Sequence, residues 1–180
     1  MKARHAHFSP PARFFHWLMA PLVVAMLFIG VGMVATVSQW HLTLLAIHKP
    51  LGIAILVLVV IRFVVRITHR PPPLPNDMPG WQQRVAAGSH WLFYLLLLLM
   101  PLIGWSMLSA GGFPVHLFGC VDLLPIAPHN THLYAFLRMA HTWLAMLLFI
   151  SFLMHLAAAM FHGLIRRDGV FASMARGSKN

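Results

Sequence analysis

The sequence predicts an all-α integral membrane protein built as a four-helix transmembrane bundle. Hydrophobic residues make up 59% of its 180 residues and charged residues only 9%, and the mean hydropathy is +0.77. A soluble domain of this size normally carries far more charge. Four segments each supply the roughly 20 apolar residues that cross the hydrocarbon core of a bilayer; they are residues 14–37, 48–68, 89–110 and 139–162. We therefore predict a single transmembrane domain over residues 1–180.

The distribution of Lys and Arg predicts the orientation of the spans. Eleven of the thirteen lie before the first span, at or beyond the end of the second, or after the fourth, and only Lys49 and Arg138 lie on the opposite side. The positive-inside rule then places both termini in the cytoplasm. The net charge of +10 follows from this bias. No nucleic-acid-binding motif accompanies it, so no nucleic-acid partner is expected.

The first span carries His16 about one turn inside its cytoplasmic end. Pro21 is expected to kink the helix there. Gly30 follows His16 by fourteen positions, so the two share a face, with Gly30 near the periplasmic end. A cleaved secretory signal is the competing interpretation, but the apolar run exceeds the 7 to 15 residues of a usual signal core.

The second span opens with His48 from the periplasmic side, and Pro50 suits its first turn. Gly52 lies one turn from His48 on the same face. Arg62 follows His48 by fourteen positions and reaches the predicted depth of His16. Arg66 continues this face toward the cytoplasm.

The third span repeats the spacing, with His90 near the cytoplasmic level and Gly104 fourteen positions later. The Pro-rich stretch before it, residues 69–88, is typical of a cytoplasmic loop. After it, the apolar residues 111–138 are too few to span. They predict a segment that lies in the membrane interface or caps the bundle.

The fourth span places His141 and His155 fourteen positions apart, which is nearly the same helix face at a separation of about 21 Å. Ionisable side chains within a span normally face the bundle interior and mark a functional path. Leu148 lies midway between them. The two histidines therefore require partners on the facing helices.

With alternating helix directions, the histidines sort into a cytoplasmic layer of His16, His90 and His155 and a periplasmic layer of His48 and His141. Bundle cores bind cofactors, and haem iron accepts two axial imidazoles. We pair His48 with His141 and His16 with His155, which predicts two haems. His90 would either replace His16 as a ligand or contact a ligating histidine without binding iron itself. The single cysteine and the absence of C-x-x-C-H exclude covalent attachment, so the haems would be noncovalent b haems.

Other polar residues suit accessory roles. Arg62 or Arg66 is near the depth of an inner haem propionate, although both can instead snorkel to the interface. Lys49 and Arg138 adjoin the outer pair, where they would hold propionates or attract a small anion. His162 lies two turns after His155 and is either an interfacial residue or part of a quinone site, for which His90 is also a candidate.

The stretches FFHWLMAP, IHKPLGIAILVLVVIRFVVRI, SHWLFYLLLLLMPLIGW and AHTWLAMLLFISFLMHLAAAMFH together resemble the bacterial cytochrome b561 family, which includes the cytochrome b subunits of nickel-iron hydrogenases. The resemblance implies four spans and two b haems held by His16, His48, His141 and His155. The best-described type of member oxidises superoxide at the periplasmic face and reduces ubiquinone. In that type a basic residue and a histidine stand at the positions of Arg138 and His162.

These observations predict an inner-membrane oxidoreductase of the superoxide oxidase or quinone reductase type. It would move electrons between a periplasmic donor or acceptor and the quinone pool. The periplasmic partner would be superoxide or a protein, and ubiquinone would be the co-substrate. Membrane lipid would surround the bundle. One alternative is the membrane-anchor cytochrome b subunit of a separate dehydrogenase or reductase. Another is a haem-free transporter or assembly factor whose histidines bind metal ions or relay protons.

Overall fold

The computed structural model describes residues 7–75, 77–117 and 121–176. Four long helices dominate: α1 (Pro10–Ala35), α2 (Gln39–Thr68), α3 (Gly80–Ala110) and α4 (Thr131–Met160). The smaller elements are β1 (Val115–Leu117), β2 (Val121–Leu123), a π-helical turn that extends α4 (Phe161–Arg166), and α5 (Val170–Ala175). All four long helices are long and apolar enough to cross a membrane. The predicted helical membrane fold with four spans is confirmed, and the chain is a multi-pass membrane protein.

The helices extend beyond the apolar segments that hydropathy marks. α2 begins before His48, because Ser38 caps it by accepting a hydrogen bond from the Trp40 amide. α4 begins within the segment expected as a loop, where Asn130 accepts a hydrogen bond from the Leu133 amide at 2.9 Å, and α3 likewise starts inside the preceding predicted loop. Hydropathy identifies the part of a helix inside hydrocarbon, whereas capping side chains decide where the helix starts.

The four helices do not pack equally. α1 packs closely with α2 and α3 with α4, α2 lies less closely against α3, and α4 stands off from α1 and α2. A small core at mid-bundle joins all four helices; it comprises Met19, Val23, Leu27, Ile55, Val59, Leu96 and Leu148. α4 therefore makes few close backbone contacts with either α1 or α2.

One end of the bundle is covered by the β1–β2 hairpin, and we call it the hairpin end. The strands are antiparallel, with Val115 opposite Leu123, and Val115 is buried where β1 meets α2 and α3. The Trp105 indole of α3 donates a hydrogen bond to the Leu124 carbonyl at 3.1 Å. Within the segment 111–138, which was predicted to lie in the interface or cap the bundle, β1 and β2 form a hairpin that packs on α2 and α3 through β1, and residues 131–138 belong to α4.

The opposite end is covered by α5, and we call it the α5 end. Arg167 (φ 53) and Gly169 (φ 85) are both left-handed, and they reverse the chain after the π-helical turn. The Trp17 indole of α1 donates a hydrogen bond to the Met174 carbonyl at 3.1 Å. This contact fixes α5 against the start of α1.

Candidate functional site

Two pairs of histidines reach from α4 across to α1 and α2. At the α5 end the ring centres of His16 and His155 are 6.4 Å apart. At the hairpin end those of His48 and His141 are 6.2 Å apart. Two imidazoles on opposite sides of one metal ion, each bonded at about 2 Å, have ring centres roughly 6 Å apart. Both pairs therefore have the spacing that a shared axial metal ion requires.

The surroundings of the hairpin-end pair fit a planar cofactor. The Nδ1 atoms of His48 and His141 are buried and have no hydrogen-bond partner among the described residues, which is costly unless a further group uses the imidazoles. A Cβ added at Gly104 would lie 3.3 Å from His141 Cε1, so any side chain there would press on the ring. A Cβ at Gly30 would meet nothing within 4 Å, which leaves open space on the facing helix.

The α5-end pair lies in a more polar cluster. An Nη1 of Arg62 donates to His16 Nδ1 at 3.0 Å. The ring of His90 is 6.1 Å from that of His155. Arg66 lies within electrostatic range of His90. The structure thus brings together all three histidines predicted for this layer and both arginines predicted near it.

The two predicted hairpin-end cations differ in placement. Lys49 is half-buried next to His48, and its Nζ approaches the Pro114 carbonyl at 3.5 Å. Arg138 is exposed, and it borders a shallow groove on the outer surface of α4 with Tyr134 and Trp143. Arg138 is therefore not brought into the space between the helices.

A network at the α5 end surrounds His162. Its Nδ1 lies 2.6 Å from Oδ2 of Asp168, and the same oxygen is 3.3 Å from Arg166 Nε. Arg166 also pairs with Asp77 at 2.9 Å and donates to Gln82 at 3.2 Å. The hydrogen bond from Arg166 lowers the pKa of the exposed Asp77 carboxyl below its ordinary value.

Sequence reasoning named His162 but missed its partner Asp168. A usable signal was present, because the chain has only three acidic residues and one of them follows the last span directly. In a regular helix, residues at this spacing would not lie on the same face. The π-helical turn and the left-handed residues after it bring His162 and Asp168 together.

Comparisons with known proteins agree with the geometry. The family described as prokaryotic cytochrome b561 matches residues 7–177. Cytochrome b561 homolog 2 of Escherichia coli (strain K12) is 32% identical over 164 residues, covering 89% of this chain and 86% of the relative. Cytochrome b561 homolog 1 of the same organism is 25% identical over 170 residues, covering 93% and 96%.

A third relative, from Yersinia pestis, is named as a probable superoxide oxidase, CybB. It is 30% identical over 129 residues, covering 71% of this chain and 72% of the relative. The family match covers almost the whole chain and implies haem b as the cofactor. The chain therefore belongs to the prokaryotic cytochrome b561 family of membrane electron-transfer proteins.

Proposed function

We propose that this protein is a di-haem b-type cytochrome of the inner membrane that carries electrons between a periplasmic redox partner and the quinone pool. The observation that carries the proposal is that two histidine pairs join α4 to α1 and α2, with ring centres 6.4 and 6.2 Å apart. They lie where α4 stands off from α1 and α2. When bound, haem takes up and releases single electrons.

Helix packing favours His16 over His90 as the partner of His155. α3 and α4 pack closely, and Phe93 of α3 lies against His155 with ring centres 5.2 Å apart. A flat macrocycle between His90 and His155 would have to displace this packing. Because α1 stands off from α4, we assign His16 and His155 to one haem and His48 and His141 to the other.

Arg62 has a defined task in this scheme. An imidazole that binds metal through one nitrogen carries its proton on the other, and that N–H cannot accept a hydrogen bond from a guanidinium. Arg62 would therefore leave His16 Nδ1 when haem binds. An anionic propionate is the natural acceptor for its charge, and half-buried Arg66 can serve the same group.

The orientation follows from the charge bias, with the α5 end and both termini in the cytoplasm. Lys49, next to His48, would draw a small anion to the hairpin end, and Arg138 would add to the field from the surface. Superoxide is our candidate donor, supported by the relative named as a probable superoxide oxidase. Two superoxide anions would each give one electron and leave as dioxygen, and two electrons with two protons would convert one quinone into a quinol.

We place quinone reduction at the α5 end. His162 lies there and is paired with Asp168, and an imidazole can both donate and accept a proton. His90 is close to His155 and would contact that imidazole without binding the iron itself. The two haems, about 21 Å apart along α4, would be separated by the mid-bundle core that contains Leu148.

The purified protein is expected to show a b-type reduced-minus-oxidised spectrum and two haems per chain by pyridine haemochromogen. Under an enzymatically generated superoxide flux, the haem is expected to become reduced, and superoxide dismutase should suppress that reduction. Haem reduction at the same rate with and without the flux would contradict the superoxide step. Colourless protein would contradict the whole proposal.

His16→Ala is expected to lose the α5-end haem, which leaves one haem per chain. Among the described residues, the other imidazole near His155 is that of His90, on the closely packed helix α3. The matched variant His90→Ala removes an imidazole at the same depth and should retain two. Haem content and the low-temperature α band of each variant check this. The reverse pattern, with haem lost only from His90→Ala, would transfer the ligand role to His90.

A further inference from the structure

The chain after α4 is folded in an unusual way that brings Asp168 against His162. The π-helical turn Phe161–Arg166 ends at Arg167 (φ 53), which is the one non-glycine residue with positive φ among residues 7–75, 77–117 and 121–176. π-Helical turns are rare and frequent at functional sites. A left-handed non-glycine residue costs free energy that the surrounding structure must supply. A regular helix would instead have carried Asp168 away from His162.

Both oxygens of the Asp168 carboxylate are held. Oδ2 accepts from His162 Nδ1 at 2.6 Å and lies 3.3 Å from Arg166 Nε. Oδ1 accepts from the Val170 amide at 3.1 Å. The side chain is 7% exposed and that of His162 is 17% exposed. Asp168 is thus a desolvated carboxylate whose orientation is set from three sides.

This arrangement fixes which nitrogen of His162 can exchange a proton. Nδ1 faces a carboxylate and therefore keeps its proton, as in other Asp–His pairs where the carboxylate selects the tautomer. Within the part of the chain that the structure describes, no residue hydrogen-bonds Nε2. Nε2 is therefore the atom left to donate or accept a proton.

We propose that Asp168 is a positioning residue that holds His162 with its proton on Nδ1, so that Nε2 delivers protons to a quinone reduced at the α5 end. This inference rests on the proposed quinone reduction. For each quinone, two electrons and two protons give one quinol. Each proton leaves Nε2 of protonated His162, which becomes neutral and is reprotonated from water at this end of the bundle.

Other charges near the pair are few. α4 and α5 pack most closely against the π-helical turn, and α3 meets it through the contact of Gln82 with Arg166. α5 has no titratable side chain, and His155 lies two turns earlier on α4. Arg166 contacts the carboxylates of both Asp168 and Asp77. Arg167 Nε donates a hydrogen bond to the Leu164 carbonyl. Asp168 is therefore the one carboxylate, among the described residues, in direct contact with His162.

Asp168→Asn in the haem-loaded protein tests the proposal, with a water-soluble ubiquinone analogue as acceptor and haem content measured alongside. We expect kcat for quinone reduction to fall at least about tenfold near neutral pH while KM stays within about twofold. The pH profile of the rate should change as well, because the protonated imidazole would lose its neighbouring counter-charge. Asp122→Asn is the matched control, since Asp122 pairs with His116 on the hairpin, and it should behave like the unmodified protein.

A double-mutant cycle separates positioning from a purely structural role. In a His162→Gln background, Asp168→Asn should cause no further loss of kcat, because its effect acts through the imidazole. Equal losses in both backgrounds, an unchanged pH profile, or loss of haem in Asp168→Asn would each overturn the proposal. Unmodified protein that holds two haems and does not reduce the quinone would overturn the proposed quinone function itself, which distinguishes the two failures.

Discussion

The double variant His141→Ala/His155→Ala is expected to purify without haem, and each single variant with one haem. α4 supplies one imidazole to each cross-bundle pair, so the two substitutions remove one axial ligand from both sites. Loss of a partner outside the coordination sphere already costs a metal site about 10- to 100-fold in affinity, and loss of a ligand should cost more. The pyridine haemochromogen assay, normalised to protein, measures the result.

His132→Ala is the matched control for this experiment, because His132 is an exposed histidine of the same helix, and it should retain both haems. Far-UV circular dichroism and gel filtration in detergent show whether the double variant is still a folded bundle. His155→Met replaces the imidazole with a thioether, which also ligates haem iron. This variant should keep two haems, with the absorption spectrum of one of them shifted. Two haems in the folded double variant would refute the ligand assignment.

Removal of the hairpin-end haem is expected to disconnect the remaining haem from a superoxide donor. In His48→Ala, one haem should remain at the α5 end and be reduced by dithionite. Its reduction under a superoxide flux should be at least about 100-fold slower than in the unmodified protein, because it lies about 21 Å deeper along the bundle. Stopped-flow absorbance at the α band in proteoliposomes with the hairpin end outward measures both rates.

The control for that experiment is His116→Ala, which removes an exposed imidazole at the same end. It should leave the superoxide-driven rate within about twofold. Equal rates in His48→Ala and the unmodified protein would mean that electrons enter at the α5 end, and would reverse the proposed direction of transfer.

The number of spans and the two histidine layers were predictable from the sequence for a clear reason. Spanning helices are obligatory in lipid, so hydropathy reports them directly. Fourteen residues make close to four helical turns, so His141 and His155 must share a face whatever the packing. Helix starts were less predictable, because caps such as Ser38 and Asn130 lie outside the apolar runs.

The polar contacts at the α5 end could not be read from the sequence. Which partner Arg62 meets depends on the rotation of α1 against α2, and the structure gives His16. The pairing of His162 with Asp168 depends on a π-helical turn and on Arg167 in the left-handed region. Neither feature has a periodic signature, because both are departures from regular helix geometry.

The sequence by itself determined a membrane bundle with four spans and histidines at two depths, since hydropathy and helix periodicity act along the chain. Its Lys and Arg bias predicts the orientation. Only the tertiary structure decided which helices stand apart. Its close packing of α3 on α4 and its separation of α4 from α1 distinguish His16 from His90, which are equivalent in depth. That choice depends on side-chain packing between helices, and no property of a single helix encodes it.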